Sequence, residues 1–127
     1  MLSDARLYEV AGRVSDVPAL VAGLEEAQFL LGVARKAVDR ADAAYVAGCL
    51  FRVVGVCAHS IHGRAGRWLV NEKGAVAAAG SLPLAPPDFA ARAHRLLAEV
   101  GATPTDLAAA LDAATVLVAD TAAACRT

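Results

Sequence analysis

The chain is short of the residues that build β-strands. One residue of 127 is isoleucine and 5% are aromatic, so valine stands almost alone among side chains that suit a pleated, half-buried surface. Cysteine is scarce too: there are three, an odd number, with no C-x-x-C pair, a poor framework for disulfides or zinc. Cys49 and Cys57 fall eight residues apart on one expected helix. That puts them about 12 Å apart along its axis, beyond the ~7 Å that a disulfide spans, so reduced, buried thiols are expected. The net charge is −1, without the basic excess of a general nucleic-acid or membrane-surface binder. The longest uncharged run, Gly74 to Pro87, has 14 residues and three prolines, too short for a ~20-residue span. The N-terminus lacks the basic flank and apolar core of a signal peptide. A soluble cytoplasmic protein is the expectation.

Several catalytic patterns are missing as well. The sequence contains no G-x-S-x-G, H-E-x-x-H, Walker or G-x-G-x-x-G pattern. It has no D-x-D or D-x-E pair to hold the two magnesium ions of nucleotidyl transfer. A self-sufficient metal-dependent transferase is therefore not expected, and no metal site is assigned.

What is present is alanine (32 residues), leucine (15) and valine (15), with 57% of the chain hydrophobic. Alanine and leucine head the helix scale, and this apolar content supports a buried core and argues against disorder. At this length one domain is expected. The punctuation divides it into five main helices. Ser15-Asp16 and Pro18 start one, over about Val17 to Arg40, with Leu20, Leu24, Ala27, Leu31, Ala34 and Val38 as its apolar stripe. Asp42 starts the next, over about Ala43 to His62. A shorter helix follows over about Arg67 to Gly80, with Asn71 as an alternative cap. Pro83, Pro86 and Pro87 force a loop. Asp88 opens a helix to Val100, and Thr103-Pro104 opens the last, to about Cys125. A short helix over Ser3 to Gly12 precedes them. These elements predict an all-α antiparallel bundle occupying residues 1–127.

The helix over residues 43–62 carries an unusual face. Tyr45, Gly48, Arg52, Gly55, His59 and His62 recur at spacings of three and four, so they share one side. Glycine inside a helix costs ~1 kcal/mol relative to alanine, so two on one face call for a packing or functional reason. The rest of the helix is apolar, which predicts a central, buried helix. Arg52 then needs either an acid on a neighbouring helix or a ligand. The functional reading is a polar cleft for an anionic or polyhydroxylated ligand. His59-x-x-His62 has metal-ligand spacing, but acidic residues are sparse around it. His62, Arg64, Arg67 and Lys73, with Trp68 among them, make a basic turn suited to a phosphate or an acidic partner surface.

Three segments carry a resemblance. Residues Tyr45 to Arg52, then Cys57-Ala58-His59, then the Arg67 to Ala75 run reading R-W-L-V-N-E-K-G-A, followed by Pro86-Pro87-Asp88-Phe89, resemble the helical C-terminal part of actinobacterial nucleotidyltransferase-domain proteins. Those proteins are similar in architecture to antibiotic nucleotidyltransferases, in which a catalytic domain holding nucleotide and Mg²⁺ precedes a helical substrate-binding bundle. The resemblance is best over Ala43 to Leu97, and the catalytic domain is absent from these 127 residues. It implies half of an enzyme, with Mg²⁺ and NTP bound only through a catalytic domain in the same or another chain. It implies Glu72 as the base for the attacking hydroxyl, Lys73 near the phosphates, and Arg52 and His59 in the cleft. With Tyr45, His62 and Trp68, these are the expected substrate contacts. The expected partners are that catalytic domain, a small-molecule acceptor and a second copy of the chain, with no membrane and no nucleic acid.

Two alternatives stand beside it. The bundle type also resembles HEPN domains, whose ribonuclease motif sets four to six residues between Arg and His. Arg52 and His59 have six between them, a phosphate-binding cation beside an acid/base imidazole, although Val53 stands where a polar residue is usual. The third reading is a non-catalytic module that docks a partner helix on the glycine stripe.

Overall fold

A computed structural model describes residues 17–67 and 73–126. Among these residues the structure is all-helical: α1 (Val17–Arg35), α2 (Ala43–Arg64), α3 (Ala75–Gly80), α4 (Phe89–Ala98) and α5 (Pro104–Arg126). The expected helix over residues 3–12 and the Ser15-Asp16 and Asn71 caps lie outside the described residues.

Helix starts follow the sequence signals where they are described. The Asp42 carboxylate accepts the Tyr45 N–H at 3.2 Å, capping α2, and the Thr103 hydroxyl accepts the Asp106 N–H at 3.1 Å ahead of Pro104. Asp88 is different: it precedes α4 in a left-handed conformation (φ 57°) and makes no side-chain cap. The end of α2 is a Schellman turn. Gly66, at φ +73°, donates to the Gly63 carbonyl and the Arg67 N–H reaches the His62 carbonyl at 2.8 Å.

Two boundaries depart from expectation. α1 stops at Arg35 rather than Arg40, and the chain goes on through i→i−3 turns until Ala41, at φ 52°, ends them. Helix α3 begins only at Ala75, because Gly74 sits at φ +73° and a left-handed residue cannot continue a right-handed helix.

The core lies between α1, α2 and α5, which pack pairwise, while α3 and α4 close the flank of α2 and α5. The seven-residue connection after α1 makes it antiparallel to α2. Arg64, at the end of α2, donates its Nε to the Cys125 carbonyl at the end of α5 (3.1 Å), so α2 and α5 run parallel. Leu24 and Leu31 of α1 meet Val46, Leu50, Val53 and Ile61 of α2 and Leu107, Leu111 and Val118 of α5 in one buried cluster. Ala27, Ala34, Ala58, Ala93 and Ala114 are fully enclosed. Such small contact residues let helix axes approach toward the ~8 Å end of the usual range, which gives the alanine content a structural reason.

α2 and α5 are also long and apolar enough to cross a membrane by length and composition, with mean hydropathy 1.5. About half of each such window, 50% and 44%, is buried inside the bundle. Their apolar character is that of the helices forming the core.

Candidate functional site

α2 is covered on one side by α1, on its inner side by α5, and near its C-terminal end by α3 and α4. The remaining arc faces outward, and the stripe occupies it. Tyr45 is 46% exposed, and Gly48, Arg52 and His59 are exposed, with Gly55 half-buried. A Cβ added at Gly48 or Gly55 would meet nothing within 4 Å. Phe51 stands beside the stripe, 60% exposed. The expected internal cleft is thus corrected to an open surface. Four packing partners bury the other side of α2 and leave this arc without a neighbour among the described residues.

Arg52 takes the bland partner foreseen for it. Its Nη2 lies 3.9 Å from the Glu26 carboxylate on α1, with both side chains more than half exposed. A contact that long, in water, contributes little stability and leaves the guanidinium available.

His62 parts company with the stripe. It lies three residues beyond His59, yet its ring is buried, and neither Nδ1 nor Nε2 has a hydrogen-bond partner among the described residues. Burial pushes its pKa below the ordinary value, and the charges of His59 and Arg67 push the same way. The backbone of Ala75 opposes this without reaching hydrogen-bond geometry. Burial thus disfavours the charged form of the His62 ring, and among the described residues its two nitrogens go unpaired, a costly arrangement.

The basic turn is thinner than the sequence suggests. Arg64 is half-buried against the Cys125 carbonyl, while Arg67 and Lys73 are exposed. Trp68 and Glu72 lie outside the described residues. Among the described residues no group of three or more His, Cys, Asp or Glu side chains is placed to hold a metal ion. All three cysteines are free and buried. Burial holds the Cys57 pKa up at about 11, with the nearby Thr121 side chain pulling it the other way, so this thiol stays protonated and unreactive at neutral pH.

The structure thus brings Tyr45, Arg52 and His59 onto one outward face around two open glycines. It separates His62 from them, and Lys73 stands across the turn ahead of α3. Sequence reasoning missed the aromatic content of the outer surface, with Phe51 and, on α1, Phe29 at 69% exposure. Phe29 lies off the Leu24–Ala27–Leu31 stripe, which is the signal that marks it as outward. No protein-family model matches the chain, and neither a curated protein nor a solved structure is significantly similar to it.

Proposed function

We propose that this chain is the substrate-side helical module of a nucleotidyltransferase-type protein. It supplies binding surface, while nucleotide and Mg²⁺ are held by a catalytic domain in the same or another chain. The observation that carries the reading is the open face of α2. Gly48 and Gly55 have free space above them, and exposed Tyr45, Arg52 and His59 surround them. A covering domain approaches closely over the glycines, and the cleft for a hydroxylated acceptor forms between the two surfaces. Glu72 takes the proton from the attacking hydroxyl and Lys73 attends the phosphates. Alone, the chain transfers nothing.

The test is photo-cross-linking in the source cells from a benzoylphenylalanine at position 48, with exposed position 77 on α3, outside the α2 face, as the control. Capture at 48 but not at 77 of a polypeptide bearing a Gly-Ser turn and paired aspartates is the expected result. If the native polypeptide proves longer than 12.9 kDa, the same features are expected in its additional part. Failure of position 48 to cross-link, in cis or in trans, sinks the reading. A second reading, RNA cleavage by Arg52 and His59, has one observation in its favour: both side chains are exposed on the same face, two turns apart. RNA cleavage that disappears with His59→Ala would install it instead.

A further inference from the structure

A second open surface lies on the other side of the molecule's chemistry and does not depend on the reading above. Between α4 and α5 runs a groove of about 410 Å³. Its floor is apolar, with Leu96 buried, Ala109 and Ala113 exposed, and Val116 standing 55% exposed. One end is closed by Arg92, which is tied inward to the Asp120 carboxylate at 2.7 Å and the Pro87 carbonyl at 3.3 Å.

The rim holds two unspent charges. Arg95 and Glu99 are exposed, one turn apart on the same edge, and neither side chain makes an ion pair with the other or with any described residue. Their order explains part of this, since a cation placed four residues before an anion is the weaker arrangement on a helix. Glu99 is also badly placed for its own helix. It is the C-cap of α4, where the negative end of the helix dipole repels a carboxylate.

The geometry points to a second copy of this chain as the occupant of the groove, in a two-fold dimer. An acidic or a basic partner satisfies one of the two charges and opposes the other. A two-fold copy satisfies both, because rotation sets Arg95 of each chain against Glu99 of the other, as self-complementary interfaces require. The facing guanidinium relieves the carboxylate at the α4 C-terminus. The alanines permit close approach, and burial of Val116 and the trough excludes water from the pairs, which strengthens them.

The experiment is sedimentation equilibrium of the full chain across a concentration series, for the wild type, Arg95→Glu, Glu99→Arg and the double reversal Arg95→Glu/Glu99→Arg. All these positions are exposed, and circular dichroism confirms that each variant is folded. The wild type is expected to dimerise. Each single reversal sets like charges face to face and weakens the dimer by about tenfold or more. The double reversal restores it, because the swapped pair is again self-complementary. A wild type monomeric at all concentrations overturns the proposal. So do single reversals that leave the dimer unchanged, or a double reversal that fails to rescue it.

Discussion

The helical glycines invite one experiment in which the same substitution has opposite signs at different places. At Gly48 and Gly55 an added methyl meets nothing within 4 Å, so Gly→Ala changes only backbone freedom and helix propensity. That is worth ~1 kcal/mol per site. The two positions are about 10.5 Å apart along α2, far enough for their effects to add, giving ~2 kcal/mol for the pair. A chain of this size has an unfolding entropy near ~0.27 kcal/mol/K, so the pair should raise Tm by about 7 °C. Gly80 behaves differently. A Cβ there would sit 2.9 Å from the Ala90 Cβ and 3.2 Å from the Ala90 backbone nitrogen, so the start of α4 must shift. Overpacking of this kind costs ~1–3 kcal/mol and outweighs the gain in propensity, lowering Tm by about 4 °C. Thermal melts and urea unfolding followed at 222 nm, on Gly48→Ala/Gly55→Ala and on Gly80→Ala, read both signs. If the pair destabilises the isolated chain, the outward face of α2 is not open. If Gly80→Ala stabilises it, the close approach of α3 to α4 is not there.

His62 makes stability depend on pH with a definite sign. Its folded-state pKa lies below the ordinary 6.5, so the unfolded chain binds the proton more tightly. Its contribution is complete above pH 6.5 and is lost as pH falls through that value toward the folded pKa, by at most ~1.4 kcal/mol per pH unit. His62→Leu removes two polar atoms that are unpaired among the described residues, should add ~1–2 kcal/mol at pH 7.5, and should flatten the acid limb; the same acid loss in both proteins, read from urea midpoints at pH 5.0 and 7.5, would refute this. Ala41→Gly should raise stability by ~0.5–1 kcal/mol, because Ala41 sits at φ 52° and a Cβ is disfavoured there; a lowered melting temperature would show that Ala41 does not hold that conformation.

The helices were legible because their starts use side chains with one meaning. Asp42 and Thr103 cap, and Pro18 and Pro104 fit a first turn. Their ends were less so. The turns that follow α1 are ended by an alanine in a left-handed conformation, and alanine announces no such stop. Asp88 looks like a cap and instead supplies a second left-handed residue. The stripe on α2 was legible as a single face, but its direction was not. Alanine, valine and cysteine surround the helix almost evenly, so periodicity says which residues lie together without saying which side is covered. The same limit applies to His59 and His62. They are three residues apart, and only the packing of α2 against the elements near its C-terminal end decides that one is wet and the other buried.

The two open surfaces are built from small residues for the reason the core is. Alanine and glycine bring helices close together inside the bundle, and on the outside they leave room for another backbone to approach. What distinguishes the surfaces is the symmetry of their charge. The α2 face presents Arg52 and His59, with Glu26 only at its edge, 3.9 Å from Arg52. Arg52 gives that face a guanidinium paired only loosely with Glu26, so under the proposed function it takes a different, anionic or hydroxyl-rich counterpart. The α4–α5 groove presents one charge of each sign on one edge, which a two-fold copy neutralises completely. A dimer through the groove leaves the α2 faces of both chains free, so self-association and docking of a second component are compatible, and Gly48→Leu should abolish the second without disturbing the first.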